Sequence, residues 1–228
     1  MTRLDAVTGA PGVLLGARVR WTGRSDGDLR PGPPHGAGRL AALAGGPVSW
    51  LRQVHGDRVV VVDAGHPVEG DDGDALVTAD PGAVLAVLTA DCAPVALASP
   101  EGVVAAVHAG WAGVVAGVVE RAVEAMRDLG ATTVAAALGP CIHPECYEFR
   151  GPELERVVGA LGLAVRGVTA AGRPALDLPA AVRAVLGRAG AELVFDVGVC
   201  TACAADRHFS HRARFETERQ ALLVWRAA

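Results

Sequence analysis

The chain has 228 residues and a formal net charge of −4, with 25 acidic residues against 21 basic ones, all of them Arg. That balance gives no electrostatic footprint for nucleic acid or an anionic membrane, and no apolar run approaches the ~20 residues a bilayer span needs. Apolar residues make up 51% of the chain, which is ample for a packed core, and the length suits one domain over residues 1–228 rather than two small ones. The five cysteines are an odd number and no signal peptide precedes them, so a soluble protein of the reducing cytoplasm is expected. Lys and Asn are absent and Ile142 is the only isoleucine, as a GC-rich genome produces. Arg richness therefore carries less meaning here than usual.

In chain order, residues 1–46 read as an early strand or two followed by a mobile loop around Pro31-Gly32-Pro33-Pro34. Val59 to Val62 is a β-branched run, and Ala75-Leu76-Val77 opens another strand. The charged run from Glu69 to Asp74 between them reads as a solvated turn. Ala83 to Leu97 is almost wholly apolar, and Val103 to Val107 gives a short buried strand ending at His108. Val114, Val115, Val118, Val119, Ala122, Val123 and Met126 then recur at helical spacing, with Glu120, Arg121, Glu124 and Arg127 on the other face and Gly130 closing the helix. A strand at Val134 to Leu138, helices at Pro152 to Leu161 and Pro179 to Ala189, and strands at Leu193 to Val199 and Ala221 to Trp225 complete the pattern. The order is mixed rather than strictly alternating, which favours an α+β fold with central mixed β-sheets flanked by helices.

Three segments interrupt apolar strands with metal-competent side chains: Gln53-Val54-His55-Gly56, Thr89-Ala90-Asp91-Cys92 and His108-Ala109-Gly110-Trp111. An unpartnered polar group in a core costs about 1–3 kcal/mol, so such residues need partners. A hairpin turned at Ser99-Pro100-Glu101-Gly102 would carry Cys92 to His108. Thiolate and imidazole are good zinc ligands, and three protein ligands with an open fourth position is the catalytic arrangement. Asp91 would orient a ligand or exchange protons. Taken singly, each residue also has an ordinary reading: Cys92 as core, His55 as a loop histidine, in a spacing that is not a zinc finger's.

The same segments, together with Asp74-Ala75-Leu76-Val77-Thr78, Leu138-Gly139-Pro140-Cys141-Ile142, Cys146-Tyr147-Glu148, Leu176-Asp177-Leu178, Cys200-Thr201 and Arg219-Gln220, closely resemble the YfiH-like family of laccase-domain proteins, now described as purine nucleoside phosphorylases. The match runs from Gln53 to Gln220 and leaves residues 1–46 as a divergent arm. The resemblance implies a fold related to cysteine hydrolases and a zinc site of His55, Cys92 and His108. It implies Cys92, Asp91 and His108 as the catalytic set, and Gln53, Cys141, Tyr147, Arg219 and Gln220 as substrate contacts. It also implies phosphorolysis of adenosine, inosine and methylthioadenosine, with adenosine deamination as a further activity. The partners expected are a nucleoside and phosphate. Where the family usually continues His-Ala-Gly-Trp with Arg-Gly, this chain has Ala112-Gly113, and Arg212, Arg214 or Arg219 would have to replace the missing cation.

Other residues receive plainer readings. Cys200-Thr201-Ala202-Cys203 suits a redox motif or a second metal site, but no second pair matches it, so a structural role is assigned. Tyr147, the only tyrosine, reads as a core or rim aromatic or as a stacking surface for a base. His208 and His211 are placed on the surface, with an approach to the site as the alternative, and His35 and His66 carry no signal. Two other functions stay open: a copper-dependent polyphenol oxidase, for which seven histidines are few, and a zinc-stabilised accessory protein without turnover.

Overall fold

The structure is a computed structural model that describes residues 12–31 and 36–226. In chain order these form β1 (Gly12–Leu14), β2 (Ala17–Trp21), α1 (Gly36–Ala44), β3 (Val48–Arg52), β4 (Val59–Val61), β5 (Glu69–Asp72) and β6 (Ala75–Thr78). The central run is β7 (Val84–Thr89), β8 (Ala93–Ala98), β9 (Val104–Ala109), α2 (Trp111–Ala116), α3 (Val118–Asp128) and β10 (Val134–Leu138). It is followed by α4 (Pro152–Leu161), β11 (Arg166–Val168), β12 (Pro174–Leu176), α5 (Leu178–Ala189), β13 (Ala191–Asp196), α6 (His211–Arg214) and β14 (Gln220–Arg226).

Two six-stranded mixed sheets carry the architecture, with orders β1-β2-β14-β7-β3-β5 and β13-β10-β8-β9-β6-β4. Strand alternation gives each sheet two apolar faces. Leu51, Leu85, Val87 and Leu222 of the first sheet meet Leu76, Ala96, Ala98, Val104 and Ala106 of the second in one buried cluster. The outer face of the second sheet packs Val95, Leu97, Val107 and Leu138 against Val119, Val123 and Met126 of α3 and Val182 and Val185 of α5. On the far side, Leu40 of α1 covers Val48, Ala86 and Leu223. The layers therefore run helix, sheet, sheet, helices, as the mixed α+β pattern implies. Strands β8 and β9 are buried along their whole length, and this explains their unbroken apolar sequence.

Several expectations need correcting. The single helix over 114–126 is two, because Gly117 adopts φ +100° and serves as the end of α2 and the start of α3. Only glycine enters that region without steric cost. The charged run is not a turn: Glu69–Asp72 pairs in parallel with β3 as an edge strand, and Asp74 is fully buried. The strand expected at 193–199 is β13, which ends at Asp196. Helix α1 and the β11–β12 ribbon carry no alternating or helical signal strong enough to stand out. The Pro/Gly-rich loop after Pro31 lies largely outside the described residues. Among the described residues no helix is long and apolar enough to cross a membrane.

Candidate metal centre

Parity along the strands aims the site. Ala105, Val107 and Ala109 of β9 face the helices, so His108 points with Val104 and Ala106 into the space between the sheets. Antiparallel pairing sets His108 opposite Pro94 and Ala75 opposite Val107. Cys92 stands one residue before β8, and Asp74 one before β6. The hairpin thus delivers Cys92 beside His108 as its turn residues suggest. The ligand atoms of His55, Cys92 and His108 all lie within 4.8 Å of one another. Cys92 Sγ is 3.8 Å from His55 Nε2, and the two imidazoles meet edge to face with centroids 4.8 Å apart.

Asp74 organises this group, and sequence reasoning missed it by placing it in a solvated run. Its Oδ1 accepts the His55 N–H at 3.0 Å and the His108 Nδ1–H at 2.8 Å. Its Oδ2 accepts the N–H groups of Val54 at 3.3 Å and Gly56 at 2.7 Å. Three successive N–H groups on one carboxylate form an anion nest. The nest holds His55 at φ +59°, a left-handed conformation that costs a non-glycine residue about 1–2 kcal/mol. Donating Nδ1–H to Asp74 assigns His108 Nε2 as the nitrogen a metal would take, displacing the proton it carries in the metal-free ion pair. Close packing also matters at Gly110, where a Cβ would fall 2.7 Å from His55 Cδ2 and 3.2 Å from Cys92 Sγ.

The charges agree with the geometry. Burial pulls the Asp74 carboxyl up, but the His108 ring and the N–H groups of Gly56 and His55 outweigh it and hold the group below the usual carboxylate range. Burial likewise pushes the Cys92 thiol up, yet the charge and hydrogen bonds of His108, then His55, bring it down to about 6. Burial opposes charging His108, while Cys92 and Asp74 raise it to about 9. In metal-free protein the depressed thiol is a thiolate above pH 6 and the elevated imidazole stays protonated below pH 9, so the pair is ionised between those values. Iodoacetamide modification of Cys92 in metal-depleted protein should therefore rise through a midpoint near pH 6 and be flat by pH 8. Peptide-resolved mass spectrometry reads this directly, and a midpoint near 9 would contradict the ion pair.

A cleft of about 800 Å³ opens above the three residues. Of the residues expected to contact substrate, Gln53 and Arg219 line it. The Gln53 amide pairs with both backbone groups of Leu88 at 2.7 Å, extending the β3–β7 ladder. Arg219 donates to the carbonyls of Glu216, Thr217 and Glu218. Cys141, Tyr147 and Gln220 lie outside the lining. Cys141 is buried beside Cys200, Tyr147 packs on Phe149 under the Arg212 guanidinium, and Gln220 brackets the backbone of Phe209 with both amide atoms. Asp91, at φ +103°, accepts the Thr201 hydroxyl at 2.7 Å and the Arg212 N–H at 2.6 Å. His211 lines the cleft, whereas His208 is buried rather than at the surface, and burial lowers its pKa to about 4. Arg214 is turned to the carbonyls of Ala202 and His208. Arg30, Arg52 and Trp50 also line the cleft, and no motif in the sequence singles them out.

The fold and site define a two-sheet α+β protein with a metal-competent His₂Cys centre in a cleft between its layers. Residues 37–227 match the family described as multi-copper polyphenol oxidoreductase laccase, and the chain belongs to this YfiH-like, laccase-domain family. A protein of Mycobacterium tuberculosis (strain ATCC 25618 / H37Rv) named purine nucleoside phosphorylase is 46% identical over 193 residues, which span 82% of this chain and 76% of the relative. The crystal structure of Neisseria meningitidis protein NMB0706 superimposes with a TM-score of 0.81 at 28% identity, covering 99% of both chains. Bacillus licheniformis hypothetical protein YfiH gives a TM-score of 0.82 at 23% identity, over 99% of this chain and 98% of that one.

Proposed function

We propose that the chain is a zinc-dependent purine nucleoside phosphorylase acting on adenosine, inosine and methylthioadenosine, with adenosine deamination at the same centre. The observation that carries this is the lining of the cleft above His55, Cys92 and His108, which contains both apolar and cationic side chains. Trp50, Leu51 and Leu88 offer a purine an apolar surface. Arg30, Arg52 and Arg219 are the cations of the lining. Arg30 is paired with Asp28, Arg52 with Asp72, and Arg219 with the carbonyls of Glu216, Thr217 and Glu218, so phosphate would share or displace these partners. These cations supply what Ala112 lacks. Thr89 is a residue of the same lining, and its buried hydroxyl has no protein partner.

The donor set fits zinc: two imidazoles, a thiol already brought down to about 6, and no fourth protein ligand among the described residues. Zinc held there supplies Lewis acidity at an open position. The chain's own residues do the rest. Asp74 keeps the proton on His108 Nδ1, and the strained His55 turn fixes the second imidazole. The arginines hold phosphate so that one oxygen attacks the anomeric carbon while the bond to the purine nitrogen breaks and its electron pair leaves with the base. Asp91, through Thr201 and the Arg212 N–H, fixes the turn that presents Cys92. Copper also accepts two imidazoles and a thiolate, but an oxidase of several coppers needs more histidine than this single group provides among the described residues.

The test is incubation of metal-analysed protein with adenosine, with and without phosphate, following adenine, inosine and hypoxanthine by chromatography. Phosphate-dependent adenine release is expected, abolished in Cys92→Ala, with the KM for phosphate raised about tenfold in Arg52→Met. Inosine alone would leave only deamination. Oxygen uptake with phenols and copper would favour the oxidase, and zinc binding without product the accessory role.

A further inference from the structure

Cys200-Thr201-Ala202-Cys203 has no partner motif in the sequence, but the fold brings one thiol to it from a distance. Cys146 ends a 3-10 turn at Pro144–Cys146, and its Sγ lies 3.3 Å from that of Cys203. The preceding residue, Glu145, places Oε1 3.9 Å from Cys203 Sγ. One ligand atom from each of Glu145, Cys146, Cys200 and Cys203 lies within 4.8 Å of every other, and all three cysteines are free thiols. Tetrahedral zinc with Zn–S bonds of about 2.3 Å sets its sulfurs about 3.8 Å apart, which is the scale of this group. We propose that Cys146, Cys200, Cys203 and Glu145 form a second metal site, closed and structural, for a thiophilic divalent cation of the zinc class.

The surroundings support ligation rather than chance proximity. The His143 backbone N–H donates to Cys200 Sγ at 3.4 Å, the kind of bond that steadies a metal thiolate. His143 Nδ1 stands 3.8 Å from Glu145 Oε1, too far for a hydrogen bond. Four protein ligands leave no open position, so the site braces rather than catalyses. What it braces is specific. Thr201, between the two ligating cysteines, donates its hydroxyl to Asp91, the neighbour of Cys92. A metal here ties the 144–146 and 200–203 turns together, and through Thr201 it bears on Asp91 beside Cys92. A Cys146–Cys203 disulfide would instead need the sulfurs at about 2.05 Å and an external oxidant, and it would leave Cys200 and Glu145 unused.

The site is independent of the purine reading, and the two fail separately. Protein purified under reductant should hold two zinc ions per chain by mass spectrometry, one in Cys92→Ala and one in Cys203→Ser. X-ray absorption of Cys92→Ala should show mainly sulfur scatterers at about 2.3 Å. Should Cys203→Ser not fold, the Cys92→Ala spectrum and metal count decide alone. One zinc in the wild type that disappears with Cys92→Ala would overturn the proposal. So would residual zinc in Cys92→Ala surrounded only by nitrogen and oxygen, or a Cys146–Cys203 disulfide that persists under reductant.

Discussion

Asp74→Asn should weaken metal binding by about 10–100-fold and lower thermal stability together, although it removes no volume. The carboxylate accepts four hydrogen bonds and donates none, two on each oxygen. An asparagine amide must turn an NH₂ group to one side. If it replaces Oδ2, its hydrogens face the N–H groups of Val54 and Gly56, and two half-buried hydrogen bonds are lost. If it replaces Oδ1, it faces the His55 N–H and forces His108 to accept through Nδ1, which moves the ring proton to Nε2 and blocks the ligand position. Each buried group left unpaired costs about 1–3 kcal/mol, or several degrees of Tm in a protein of this size. Both orientations also loosen the turn that keeps His55 at φ +59°. Competition against a chelator of known affinity and a thermal scan of metal-free protein read the two effects separately. Unchanged zinc affinity would show that the nest serves the fold alone.

Asp74 also shows where the sequence stops being readable. The hydrophobic runs and periods are strong enough to reveal β9 and α4, and a buried strand tolerates His108 only for a reason. Ala83 to Leu97, read as one apolar stretch, is two strands, and His55 and Cys92 lie outside strands, exposed and half-buried. The hairpin follows from its turn residues. Asp74 ends a run of acidic residues, and acidic residues are solvated by default, so nothing local marks it as fully buried. Its neighbours Glu69–Asp72 form an edge strand whose order comes from β3 rather than from their own side chains. The break at Gly117 is likewise invisible to the hydrophobic period, which continues across it. Arg30 and Arg52 enter the cleft from segments with no catalytic signature, and Cys146 reaches Cys203 only through tertiary folding. A sequence names ligands that interrupt a core. It does not name the groups that hold those ligands from another strand.

Gly110→Ala should disable the centre by filling it. The backbone there is extended, φ −74° and ψ 157°, and accepts alanine without strain, so space alone decides the outcome. The added methyl would sit 2.7 Å from His55 Cδ2, 3.2 Å from Cys92 Sγ and 3.4 Å from His55 Nε2. His55 cannot retreat easily, because its backbone is fixed in the left-handed region by three N–H bonds to Asp74. Cys92 is fixed by the start of β8. Overpacking of this kind costs about 1–3 kcal/mol, and here the displacement falls on two of the three ligands. Zinc affinity should fall at least about tenfold, with turnover falling in step. Gly159→Ala is the matched control, since a Cβ at that position in α4 meets nothing within 4 Å. It should gain about 0.5–1 kcal/mol of helix stability and leave zinc binding untouched. Equal metal affinity in the two variants would mean that His55 and Cys92 move freely and that the centre is not preorganised.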